Sequence, residues 1–251
     1  MGKLSSTVIM LVSALLATGA LSARSYAADL AEAAQAAAKE AAEKAAMGMF
    51  PLKPYAGAKG FVSYAPAGDF YSPGTGRTNF IDYNIGWNAA AFGGVTAGDF
   101  VKLQMDTGYI SNNVSSLSGA IDGSGSVGAA YVLGGVVLSA PLSPLTKKVI
   151  PFAGISIGAA FPIVGEITGQ IDNGGTLEPF TIKGNQAVVG ALLARGGVTI
   201  AINAKLGATL EYGFFQTADF SLSTTDNISS SGRASTDMTA HLFGLGFEYH
   251  F

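Results

Sequence analysis

The chain contains no cysteine, a single tryptophan and only two histidines, and charged residues make up 12% of its 251 positions. Without cysteine there is no disulfide, no thiolate nucleophile and no lipoprotein-type lipid attachment. Two histidines and no thiol leave little from which to build a metal site or an acid–base pair. The charge fraction is about half of what a soluble domain carries. No apolar run beyond the N-terminus reaches the roughly 18 residues of a membrane-crossing helix. Yet 49% of the residues are hydrophobic and 34 are glycine. A greasy, glycine-rich chain without a spanning helix points to many short alternating strands.

The first segment is "MGKLSSTVIMLVSALLATGALSARSYA". Lys3 supplies a positive start, Val8 to Leu21 an apolar stretch, and Ser25-Tyr26-Ala27 the small residues of a signal-peptidase site. Cleavage before Ala28 is expected, making 1–27 a signal peptide. Losing Lys3 and Arg24 takes the formal net charge from −3 to −5, so nothing suggests nucleic acid as a partner. Residues 28–51 open with "ADLAEAAQAAAKEAAEKAAMG", an Ala-rich stretch of high helix propensity, expected to be a periplasmic helical spacer that Pro51 and Pro54 end.

From residue 52 to 251 the period changes to two. In 80–92, Ile81, Tyr83, Ile85, Trp87 and Ala89 oppose Asp82, Asn84, Gly86 and Asn88. In 99–111, Val101, Leu103, Met105 and Tyr109 oppose Lys102, Gln104, Asp106 and Gly108. In 205–215, Leu206, Ala208, Leu210, Tyr212 and Phe214 oppose Gly207, Thr209 and Glu211. In the terminal "AHLFGLGFEYHF", His241, Phe243, Leu245, Phe247, Tyr249 and Phe251 share one face. These are strand periods, not helical ones. Segments 54–64, 127–138, 150–161 and 186–202 bring the total to eight, each about the length of a tilted strand that crosses a bilayer.

Connections alternate between long and short. "APAGDFYSPGTGRTN", "NNVSSLSGAIDGSGS", "PIVGEITGQIDNGGTLEPFTIKGN" and "QTADFSLSTTDNISSSGRASTD" are long and polar, whereas "GGVTAG", "SAPLSPLTKK" and "NAK" are shorter. That asymmetry marks a transmembrane β-barrel, and "IDNGGT" in the third long loop is a hairpin turn signal. A soluble β-sandwich also alternates, but it buries its apolar face instead of presenting one on every strand. The expected fold is all-β: an eight-stranded antiparallel transmembrane barrel. Aromatic belts are expected from Tyr55, Phe92, Phe100, Phe152 and Phe251 at the turn side, and from Tyr64, Phe80, Tyr109, Phe161 and Phe214 at the loop side.

Eight strands leave a lumen only wide enough for side chains. The inward set includes Lys59, Lys102 and Arg195 against Asp82, Asp106, Glu211 and Glu248, and charges there must pair. A polar network is therefore expected inside, either as filling or as the lining of a narrow ion path.

The motifs "PFAGISIGAAF", "KLGATLEYGFF" and the terminal "GLGFEYHF" resemble those of OmpA-like and opacity-protein-like outer-membrane barrels of Gram-negative bacteria, over roughly residues 52–251. The Ala-rich 28–48 stretch departs from that pattern. The resemblance implies an outer-membrane location in the lipid bilayer, and an assembly signal at Phe247, Tyr249 and Phe251 read by the outer-membrane assembly machinery. No cofactor and no catalysis are expected, because His241 and His250 lie at opposite ends of one strand and the sequence offers no cysteine and no metal-ligand cluster. The leading functional expectation is a surface barrel displaying four loops for envelope integrity or contact with host or neighbouring cell surfaces; the alternative is a small porin.

Overall fold

The computed structural model describes residues 52–251 except 73–76, 99, 118–119, 140–147, 174, 185–187 and 227–231, with main chain alone at some hairpin positions. The expected signal peptide and Ala-rich spacer lie outside the described residues. Fourteen strands run in chain order: β1 Leu52–Tyr64, β2 Gly68–Ser72, β3 Arg77–Tyr83, β4 Gly86–Ala97, β5 Val101–Leu117, β6 Ile121–Ser139, β7 Val149–Val164, β8 Ile167–Asn173, β9 Thr176–Gly184, β10 Val189–Ala201, β11 Leu206–Thr217, β12 Phe220–Asp226, β13 Gly232–Thr236 and β14 Thr239–His250.

Eight of them, in the order β1, β4, β5, β6, β7, β10, β11, β14, close an antiparallel ring. The first and last strands seal it, in register from Tyr55↔His250 to Tyr64↔His241. Closure pairs every wall strand on both sides, which is how a sheet satisfies its backbone where water is absent.

The remaining six strands extend that ring upward. β2, β3, the upper parts of β5 and β6, then β8, β9, β12 and β13 continue the same cyclic order above the breaks at 65–67, 84–85, 165–166 and 237–238. The thinnest seam of this head joins β13 to β2 through one pair, Ser235↔Tyr71. β6 alone is 19 residues long, roughly 60 Å of contour at about 3.3 Å per residue, far more than the apolar layer requires. The "IDNGGT" turn closes β8 on β9, with Gly175 at φ 95° and its N–H donating to Asp172.

Three sequence expectations are corrected here. The second wall strand is Gly86–Ala97 rather than 80–92, because the chain breaks at Asn84–Ile85 and its first part belongs to the head. "GGVTAG" is not a turn up to Ala97: Gly93 and Gly94 pair with Met105 and Gln104. A Cβ on Gly94 would strike the Leu103 carbonyl, so glycine there marks close strand approach. "NNVSSLSGAIDGSGS" is mostly strand, with Val114 and Leu117 buried inside the head.

Outward positions carry the large exposed apolar groups: Val62, Trp87, Met105, Val132, Ile157, Leu210, Phe243, Leu245 and Phe247. Inward positions divide by height. Polar residues fill the turn-side half. Phe61, Ile110, Tyr131, Leu133, Phe215 and Leu242 form an apolar cluster above them, continuous with Ile81, Ile167, Ile182 and Leu222 in the head. Three of the five aromatics expected in the turn-side belt are therefore corrected. Tyr55, Phe92 and Phe152 are buried within the lumen, because they share the inward phase of Lys59, Asn88 and Ser156. Phe100 and Phe251 do face outward, as do Tyr64 and Phe161 on the loop side.

Candidate functional site

Strand alternation puts Lys59 (β1), Asp106 (β5), Arg195 (β10) and Glu211 (β11) on inner walls that face one another across the lumen. Arg195 is 1% exposed. Its Nη1 donates to Asp106 Oδ1 at 2.7 Å, and its Nη2 to Asp106 Oδ2 at 2.5 Å and also to Ser156 Oγ. This is the two-pronged geometry in which guanidinium and carboxylate match best. Gln104 Nε2 adds a 2.8 Å bond to the same carboxylate, and Tyr55 Oη holds Gln104 Oε1 at 2.9 Å. Lys59 Nζ donates to Glu211 Oε2 at 2.7 Å, lies 3.8 Å from Asp106, and sits 4.6 Å from the centre of the Phe92 ring. Two cations thus face two anions, and no net charge is left buried in this layer. Among the described residues, Arg195 Nε and Glu211 Oε1 have no hydrogen-bond partner.

Nearer the turns, Lys102 Nζ donates to both Glu248 oxygens at 3.0 and 2.9 Å, and His250 Nε2 lies 3.1 Å from Glu248 Oε1. Above the ion pairs, Asn88 Nδ2 donates to Tyr131 Oη at 3.1 Å and Ser63 Oγ to Asn112 Oδ1 at 2.8 Å. The structure therefore brings Lys59, Asp106, Arg195 and Glu211 into one cluster and sets Lys102 with Glu248 beside it.

Asp82 is not among them. It lies on β3 in the head, exposed, accepting a 2.6 Å bond from Ser116 Oγ. The irregular step at Asn84–Ile85 shifts the side-chain phase between β3 and β4, so Ile81 turns in and Asp82 turns out. Tyr55, Asn112 and Ser156 were not foreseen as lumen polar groups, whereas Asn88, expected on the polar face of its strand, does point inward. For Tyr55 the signal was present, since it falls in phase with Lys59.

His241 faces outward, its Nδ1 2.8 Å from Tyr212 Oη, ringed by Tyr64 and Phe214. His250 is at the other end of the same strand. Among the described residues no three His, Asp or Glu side chains group as metal ligands. The C-terminal strand presents Phe247 and Tyr249 outward, and Phe251 follows them, 71% exposed. Tyr249 and Phe251 meet edge to face, 5.2 Å between centroids.

No protein-family model and no curated protein sequence matches the chain. Among solved structures, the outer membrane protein OprG from Pseudomonas aeruginosa superposes with a TM-score of 0.60 at 12% identity, covering 79% of this chain and 96% of that one. Neisserial surface protein A matches at a TM-score of 0.42 and 13% identity, over 79% and 97% of the two chains. The outer membrane protease OmpT from Escherichia coli matches at 0.47 and 9%, over 79% and 97%.

Proposed function

We propose that this chain, whose fold is that of the eight-stranded outer-membrane β-barrels, is a non-enzymatic surface protein that holds a tall head of β-hairpins outside the outer membrane. The observation that carries this reading is how the interior is filled. Neutralised ion pairs occupy the turn-side half, and an apolar cluster continues from there into the head. Such a lumen supports rigidity rather than passage, and the polar outer surface of the head is what remains for contact with a host or neighbouring surface. Phe247, Tyr249 and Phe251 serve as lipid-facing wall and as the signal for the assembly machinery. Deleting the head hairpins one at a time tests the role: loss of surface binding or envelope integrity supports it, and unchanged phenotypes for every deletion count against it.

The porin reading needs a continuous water path. Planar-bilayer recordings of the full chain should show no stable openings; openings abolished by Lys102→Gln or Asp106→Asn would establish a channel instead.

A further inference from the structure

Where the head meets the wall, one side of the ring is interrupted. The β1–β14 register ends at Tyr64↔His241, and the next contact upward is the single β2–β13 pair. Across this gap, 65–67 and 237–238 have no strand partners in each other. Met238 is instead tied to β11: its N–H donates to Thr217 Oγ1 at 3.0 Å, and its carbonyl accepts from the Thr217 N–H at 2.9 Å. The gap opens on a cavity of about 230 Å³.

Ala65, Pro66, Val127 and Met238 give this cavity apolar walls. Two polar side chains remain available in it. Asn112 is already engaged by Ser63 and the Asn84 carbonyl, which leaves Tyr83 and Asp237. Among the described residues, the Asp237 carboxylate accepts hydrogen bonds from two neutral donors, Gln216 Nε2 at 3.5 Å and Thr239 Oγ1 at 3.2 Å, both at Oδ2. Among the described residues no cation pairs with it and Oδ1 has no donor. A half-buried carboxylate without a counter-charge, in a hollow whose lining is part polar and part apolar, is complementary to an ammonium group on a small apolar body. A cavity of roughly 150 Å³ suffices for benzene, so this one admits a single ring with a short side arm.

We propose that this cavity is a binding site for a small organic amine, its ammonium on Asp237 and its apolar part against Pro66, Val127 and Met238. Tyr83, which belongs to the head, lies outside the membrane-spanning wall. Burial, and then the Asp237 charge, push its phenol up to about 12, so it stays protonated as a neutral hydrogen-bonding partner at working pH.

The test is calorimetric titration of 2-phenylethylamine into the full chain in lipid nanodiscs, with empty nanodiscs as blank and 2-phenylethanol as neutral isostere. Saturable amine binding is expected, with Asp237→Asn weakening it about tenfold or more while leaving the weaker alcohol binding unchanged. Gly68→Leu is expected to abolish both, because a Cβ there sits 3.5 Å from Tyr83 in ordinary contact and the rest of the side chain fills the hollow. Binding no greater than the blank overturns the proposal, as does equal amine affinity in wild type and D237N. Heat-modifiable gel migration checks that each variant is folded; should G68L fail that check, D237N decides alone.

Discussion

Arg195 has nowhere to go. Its guanidinium is sealed against Asp106 and Ser156, and removing it strands a buried carboxylate. Arg195→Met should therefore cost about 3–5 kcal/mol, whereas adding Asp106→Leu should recover most of the loss, because a neutral packed pair avoids the desolvation penalty. Denaturant unfolding in detergent measures this, with the single Trp87, exposed on the outer wall, as the fluorescent reporter. Tyr83 gives a pH prediction with a definite sign. Its folded form favours the neutral phenol, so the stabilisation is intact below pH 10 and is lost as pH rises through about 12. Tyr83→Phe should remove one late step from the alkaline absorbance titration, and an unchanged curve would refute the assignment. At this scale the sequence disclosed the charges but not their partners. Periodicity gives the face of each residue, whereas who meets whom across the lumen depends on stagger between strands far apart in the chain.

At the scale of elements, the C-terminal strand and the head hairpins pull in different directions. Serine at Phe247, Tyr249 and Phe251 should lower the folded, membrane-inserted fraction several-fold, read as the heat-modifiable band, if these residues act in assembly as well as facing lipid. Serine on the outer face of β12 should not. Replacing the β8–β9 hairpin, Ile167 to Gly184, by a short turn removes Ile167 and Ile182 from the head core but leaves the wall register intact. That variant should still migrate as a folded barrel. The wall was legible because hydrocarbon outside and polar or small groups inside impose a clean alternation, as in Leu206–Thr217 and Thr239–His250. The head was not. Its outer face meets water, so Ser, Asn and Gly dominate there and "NNVSSL" reads as loop, although Val114 and Leu117 are buried. The Gly93-Gly94 pair misled for another reason: at the residue level, a glycine such as Gly94, required by a close carbonyl, looks the same as glycine required by a turn.

The molecule as a whole is one continuous cylinder with two environments around it: an apolar girdle below, a wetted collar above, and a packed axis running through both. β5 and β6 traverse the two without interruption, paired from Val101↔Leu138 to Val114↔Gly125. The other wall strands are interrupted at the waist, at 65–67, 84–85, 165–166, 218–219 and 237–238. A partner pulling outward on the β5–β6 hairpin would draw both strands together against β4 and β7, so that those two ladders carry the load with many hydrogen bonds in shear and none peeled singly. The other hairpins, jointed at the waist, would bend first. The hairpin is thus a mast stepped through the deck, and an adhesive contact made there would have the greatest mechanical endurance that this scaffold offers.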